Sequence, residues 1–354
     1  MLELDNQSLW QAALYPAWNA KREPQLTLVV KTGFWFDKRG KATAMDSVPA
    51  IEEEDRHHDD PLSSSLAASC ESVPFKQGSE LICYGTAQPP EADATVMEVK
   101  IGLRRGEADF WNKALRVSGP RQWRRGLLSS GPSEPETLQP LPLRYESAYG
   151  GRDPRNSDHC YEANPVGMGF TASSRYHPEL AVPQIELGPD YLRTPTQRPE
   201  PAGFAPLPVH WLPRLELTPE IDEEAVTLGL CPFAEEIAAD FYNAAPKDQR
   251  FDTPFEGGET LFLQGLVDGA DPRGMLIKIP KVIPEVLLVR SEREQSRLTL
   301  SCDTLVVRAD ERELHLLWRC AIPVLKETQG WIVIRPPQPD EHQHADNDDR
   351  EQAA

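Results

Sequence analysis

The 354-residue chain sets 37 Lys and Arg against 56 Asp and Glu, a formal charge of −19, which disfavours nucleic acid or an anionic membrane as the main partner. Hydrophobic content of 39% is enough for a sizeable core, while 34 prolines and 22 glycines interrupt helices and central strands and bias the chain toward β structure with long loops. The six spread cysteines form no C-x-x-C pair, so a zinc knuckle or a small disulfide scaffold is not indicated and a reduced, cytoplasmic protein is expected. The N-terminus has acids where a signal peptide needs basic residues, and no run approaches the roughly 20 apolar residues of a membrane helix.

In chain order, Leu26 to Phe36 is β-branched and aromatic and reads as a strand, with Leu26, Leu28, Val30 and Thr32 on one face and Thr27, Val29 and Lys31 on the other. Asp46 to Asp60 holds seven acids and one arginine and runs into the Ser-rich LSSSLAAS, the pattern of a solvated connection. His57, His58, Asp59 and Asp60 have ligand chemistry, but an acidic surface loop accounts for them more simply than a metal site. Thr95 to Leu103 alternates as a half-buried strand, and Phe110 to Val117 is expected to return beside it. Between Lys100 and Arg125 stand eight Lys or Arg and two acids, with Trp111 and Trp123 interleaved. One solvated face explains this better than base or sugar stacking, with a docking surface for an acidic segment as the next reading.

The stretch Pro142 to Phe170 has neither helical nor strand periodicity yet is rich in Gly, Pro, Asn and Tyr, which describes an ordered loop laid over the core. Gly150, Gly151, Gly167 and Gly169 are expected to supply positive φ or close backbone approach, with Asn164 and Pro165 fixing the path. Tyr176 to Pro208, with eight prolines, reads as an extended surface path pinned by Phe204 and Trp211. Thr218-Pro219-Glu220 reads as the cap and first turn of a helix, and a further turn or two is expected within Phe233 to Phe241. Asp240 to Phe251 is a second non-periodic block, expected beside the first. From Glu259 onward short strands separated by turns predict an antiparallel meander, followed by Trp331 to Ile334 and an acidic tail in which His342 and His344 are expected to float.

No nucleophile elbow, zinc-protease helix, phosphate-binding loop or EF-hand pattern is present. The best catalytic set, Glu146, Asp153, Asp158, His159 and Cys160, is contiguous, and such residues seldom converge; hydrogen bonds to the loop's own backbone are the simpler role for its carboxylates.

The segments VVKTGFWF, PLRYESAYGG, NPVGMGF, PAGFAPLPVHW, DFYNAAPKDQ and HLLWR resemble, in that order, the domain of unknown function 2169 family encoded beside type VI secretion genes, over roughly Leu2 to Arg319. The resemblance implies a cytoplasmic adaptor or chaperone that binds a toxic effector protein and helps load it onto a VgrG-type spike with or without a PAAR tip. It implies no cofactor, no metal and no established enzymatic activity.

The expected fold is mainly β: an antiparallel sandwich or barrel-like sheets with long irregular loops and one or two short helices. Residues 1–335 are expected to form one large domain, or two packed sub-domains dividing near residue 140, with 336–354 a disordered tail. Partner contacts are assigned to Arg144, Tyr149, Tyr161, Trp211, Tyr242 and Lys247, the aromatics among them as exposed anchors. The alternatives are an enzyme acting on a small molecule or polysaccharide through the 142–170 loop, and a carbohydrate-binding module using Trp111, Trp123 and Tyr149.

Overall fold

A computed structural model describes residues 2–336 apart from 107–108, 126–129, 173–179, 189, 235, 292 and 325–328, so the acidic tail with His342 and His344 lies outside the described residues. The principal strands are β1 (Leu2–Asn6), β2 (Gln11–Trp18), β3 (Pro24–Phe36), β4 (Ser79–Tyr84), β5 (Val96–Arg105), β6 (Asp109–Ser118) and β7 (Ile185–Leu187). After a long irregular stretch come β8 (Thr260–Gln264), β9 (Met275–Lys278), β10 (Glu285–Ser291), β11 (Glu294–Leu298), β12 (Ser301–Arg308), β13 (Glu313–Pro323) and β14 (Gly330–Arg335). The protein is mainly β, built of several antiparallel and mixed sheets, and among the described residues no barrel closes.

The largest sheet has seven strands, in the order Arg250–Phe251, β4, β12, β13, β3, β2, with Ala42–Ala44 paired beside β3. A five-stranded sheet runs β7-β6-β5-β8-β9, and a four-stranded one β1-β14-β10-β11. The alternation of Met97, Val99, Ile101 and Leu103 in β5 places all four in the core, and β6 pairs with it over ten residues, as the sequence pattern predicts. The strands after Glu259 do not form one meander. Their three hairpins, β8-β9, β10-β11 and β12-β13, go to three different sheets, because β3, β5 and β14 capture one strand of each. Apolar side chains from all three sheets meet in one continuous core, from Leu2 to Ile334.

The seven-stranded sheet is buried on both faces. Leu28, Val30 and Phe34 of β3 join Leu314, Leu316 and Trp318 of β13 in that core. The opposite face carries Val29, Lys31, His315, Leu317 and Arg319, all buried under the irregular segment 45–76. This corrects the reading of the Ser-rich LSSSLAAS end as solvated, while Asp46 to Asp60 before it is mostly exposed: Ser64, Ser65 and Leu66 are buried, and Leu66–Ala68 pairs with Arg56–His57. The cover is held by charges inside the sheet. Lys31 Nζ donates to Ala50 O (3.0 Å) and Glu71 Oε2 (2.8 Å), and Glu71 Oε2 accepts from the Glu52 N–H. Arg319 pairs with Asp303 (2.7 Å) and donates to the carbonyls of Glu71 (3.0 Å) and Val73 (2.7 Å). Among the described residues, no helix is long and apolar enough to cross a membrane.

Among the described residues there is one α-helix, α1 (Glu223–Leu228), and it starts four residues later than the Thr218 cap predicts. Thr218 instead closes the 3₁₀ turn Arg214–Leu217, and Asp222 caps α1 by accepting from the Ala225 N–H at 2.9 Å. No further helix occurs among the described residues of 233–241.

Removing one partner of a buried pair strands the other, so Arg319→Met should cost roughly 3 to 5 kcal/mol, read as a lower urea midpoint. A second prediction concerns His315. Burial, with Lys31 and Arg308 nearby, pushes its pKa down to about 3 against the opposing pull of the Glu313 carboxylate 3.1 Å from Nε2, whereas an unfolded imidazole titrates near 6.5. As pH falls through that range the unfolded chain gains a proton the folded chain refuses, so stability should decline by at most roughly 1.4 kcal/mol per pH unit. Stability measured from pH 7 to 4 should therefore fall less steeply for His315→Gln than for the parent.

Candidate functional site

The 142–170 segment is built around one amide. Asn164 is fully buried, and its Nδ2 donates to the carbonyls of Tyr145 (2.8 Å) and Tyr149 (3.0 Å), closing the loop on itself. Its own backbone carbonyl accepts from the Gly151 N–H at 2.8 Å. The chain passes so close that a Cβ on Gly150 (φ 150°) would overlap the Asn164 carbonyl oxygen, and one on Gly167 would overlap the Asn164 amide. Gly151 (φ 90°) and Gly169 (φ 97°) adopt the left-handed backbone the sequence predicts, and Tyr149–Gly150 pairs in parallel with Met168–Gly169. Pro165 follows Asn164 half-buried in the turn.

Two carboxylates of the catalytic set, Glu146 and Asp153, hold structure. Glu146 accepts from both the N–H (2.8 Å) and the hydroxyl (2.7 Å) of Ser65, tying the loop to the 45–76 cover. Burial works against the Asp153 charge, but the N–H groups of Arg155 and Ala172, the Thr171 hydroxyl and nearby His159 hold its pKa below the usual range. Asp158 and His159 are exposed on the hairpin strand Asn156–Cys160, and burial raises the Cys160 pKa, which favours the thiol over the nucleophilic thiolate.

Two of the residues assigned as exposed anchors are interior. Trp211 is fully buried, edge-on to Tyr145 at 5.8 Å, and Tyr149 is buried among Trp123, Leu180, Val182 and Leu192 with its hydroxyl on Gln197 O (3.0 Å). Both rings fill the space between the loop and the Pro-rich run, whose few ladder bonds leave packing to hold it. Desolvation pushes the Tyr149 pKa up to about 12. Tyr161 is half-buried, edge-on to Tyr149 at 5.1 Å, and Tyr242 is half-buried against Phe75. Arg144 and Lys247 are exposed, Arg144 lining a separate pocket with Arg56, His58 and Arg308.

The basic patch also dissolves on folding. Lys113 points with Leu115 and Val117 into the interior, where it donates to Asp248 (2.8 Å) and Gln249 (2.9 Å); burial lowers its pKa. Arg121 is buried against Glu186, which also takes Arg116 at 2.9 Å, and Arg105 stacks over Phe251 and Phe255. Strand alternation sends these charges to different faces.

A cleft of about 660 Å³ opens where the irregular segments meet. Tyr145, Tyr161 and Ala163 come from the 142–170 loop; Pro201 and Leu207 come from the Pro-rich run, and Leu212 and Pro213 from just after it; Pro246, Lys247 and Asp248 come from the second non-periodic block. The blocks are joined directly. Tyr145 OH donates to Ala205 O (3.2 Å), Leu207 N donates to Ala244 O (2.8 Å), and Gln249 Nε2 donates to Leu81 O and Phe204 O. The walls are mostly apolar, with buried Lys113 inside and exposed Lys247, Asp248, Glu200 and Glu216 around them. Of the assigned partner residues, this cleft unites Tyr161 and Lys247. Leu187, Leu212 and Glu216 were missed; a Pro-rich run that keeps apolar residues between its prolines was the available signal.

Fold and cleft define a mainly β protein whose irregular connections, rather than its sheets, shape a concave and largely apolar surface. The chain belongs to the bacterial family described as "uncharacterized protein conserved in bacteria" (DUF2169), whose profile matches residues 21–319. Neither a search of curated proteins nor one of solved structures found a match.

Asn164→Ala removes the side-chain donor from the Tyr145 and Tyr149 carbonyls, the first of which keeps the Ala148 N–H, and should cost roughly 2 to 4 kcal/mol. Gly150→Val and Gly167→Val should also lower the melting temperature, whereas His159→Ala on the exposed hairpin should leave it unchanged.

Proposed function

We propose that the protein is a cytosolic adaptor that binds a type VI secretion effector and assists its loading onto the VgrG/PAAR spike. The observation that carries this reading is convergence. The segments PLRYESAYGG, PAGFAPLPVHW and DFYNAAPKDQ, on which the resemblance to the adaptor family rests, are far apart in sequence yet each lines one cleft, and NPVGMGF braces the first of them through Asn164. A cleft with apolar walls and charges of both signs at its margin suits an extended protein segment, with aromatic and proline surfaces giving area and the charges giving register. Glu146 and Asp153 of the 142–170 loop are occupied in holding backbone, which favours binding over catalysis as its role.

Co-expression with the effector encoded beside it should yield a complex that co-purifies and raises effector solubility. Tyr161→Ala combined with Lys247→Glu should weaken that complex about tenfold or more, about 1.4 kcal/mol or more, with the adaptor still folded by circular dichroism. An effector that stays soluble and reaches the spike in cells lacking this protein would overturn the adaptor function.

A further inference from the structure

Arginines gather at one place in a chain whose acids outnumber its bases by 56 to 37. A pocket of about 290 Å³, apart from the large cleft, is lined by Arg56, His58, Arg144 and Arg308, with Asp310 and Glu311 as its acidic members. Three separate elements supply the arginines, and each is fixed in place. Arg56 and His58 belong to the 45–76 cover, where Arg56–His57 pairs with Leu66–Ala68. Arg144 stands near the start of the 142–170 loop, between the Leu143 N–H, which donates to Gly85 O at 2.9 Å, and Glu146, which holds Ser65 of the cover. Arg308 ends β12 in register with Tyr84 of β4, and its guanidinium lies over the Tyr84 ring, 4.7 Å from the centroid. Stacking uses the face of a guanidinium and leaves its N–H edge free. Among the described residues neither Arg144 nor Arg308 makes a side-chain hydrogen bond or ion pair, and Arg56 has one partner, Glu52 at 2.9 Å on the surface. Asp310 is already occupied, accepting from the Thr86 N–H (3.0 Å) and hydroxyl (2.9 Å), and Glu311 is exposed on the turn between β12 and β13. Burial lowers the His58 pKa, and Arg144, Arg56 and Arg308 push it the same way against Glu146, so the cations share one field. Like charges gathered around a hollow repel one another until an anion enters.

We propose that this pocket binds a phosphoryl group, held as a dianion by the forks of Arg56, Arg144 and Arg308 with His58 beside them. Charge and shape select this ligand. Three guanidiniums carried by three elements suit a tetrahedral group with acceptor oxygens on several sides, whereas one carboxylate is planar, carries a single charge and is filled by one or two forks. Against its two acids the lining stays positive, and Asp310 directs its acceptors to Thr86. The pocket and the large cleft have no lining residue in common, so the phosphoryl site does not depend on the adaptor function.

Isothermal titration calorimetry of the full chain at about pH 8, where a phosphoryl group is a dianion, supplies the test. The probes are inorganic phosphate, a phosphoserine peptide with its unphosphorylated twin, and succinate, whose two charges sit on carboxylates. Phosphate or the phosphopeptide should bind saturably at one site, about tenfold tighter or more than succinate or the unphosphorylated peptide. Arg144→Gln and Arg308→Gln should each weaken that binding about tenfold, while Arg297→Gln, at an exposed arginine of β11, should leave it unchanged and so controls for net charge. Arg144 is exposed, so its variant should keep the parent's melting temperature without ligand, and its result stands even where Arg308→Gln loosens the Tyr84 stack. Preference for the phosphopeptide makes a modified protein segment the source of the group, and preference for free phosphate makes it a small molecule; either supports the site. Saturable binding of neither, equal binding of succinate, or undiminished binding by Arg144→Gln would overturn the proposal.

Discussion

A guanidinium inside a sheet covered on both faces has to find every partner within the protein. Arg319 does so with the Asp303 carboxylate and the carbonyls of Glu71 and Val73, and Lys31, on the adjacent strand β3, binds Glu71 and Ala50 in the same layer. The consequence is architectural. The seven-stranded sheet has no helix to cover its second face, and an irregular segment brings unpaired backbone groups that are costly to bury. Charges planted in the sheet satisfy those groups and fix where the cover lies. The same cover then reaches the 142–170 loop through Ser65 and Glu146, so the sheet positions the loop across the whole thickness of the molecule.

The loop region repeats that solution with neutral and charged side chains. Asn164 closes the loop, Gln249 joins the second block to β4 and to Phe204, and Glu186 gathers Arg116, Arg121 and the Leu192 N–H. Each is buried, and each stands in for ladder bonds that the prolines deny to the backbone. A cleft framed this way is preorganised, because its walls are pinned by hydrogen bonds outside it and little ordering remains for a ligand to impose.

Short-range pattern was legible from the residues themselves. Alternation in β5, the β-branched run of β3 and the glycines of the 142–170 loop state requirements local to a few residues, and the structure meets them. The helix cap was misplaced because Thr218-Pro219-Glu220 and Asp222-Glu223-Glu224 present nearly the same capping chemistry, and contacts outside the sequence window, Arg22 to Asp222 among them, go with the second. Tyr149 and Trp211 look alike in sequence as candidates for surface anchors, since an aromatic residue in a loop serves equally to fill a gap or to meet a partner.

What the amino-acid order determined by itself was therefore the class of structure, mainly β with built loops, and the identity of the segments that resemble a family. The tertiary structure decided which sheet each hairpin joined, which face of the basic stretch was interior, and that three distant segments would share one cleft. The physical reason is range. Propensity, alternation and backbone sterics act over a few residues, whereas strand partners, buried ion pairs and cavity walls depend on groups brought together from hundreds of residues apart, as Arg319 and Glu71 are.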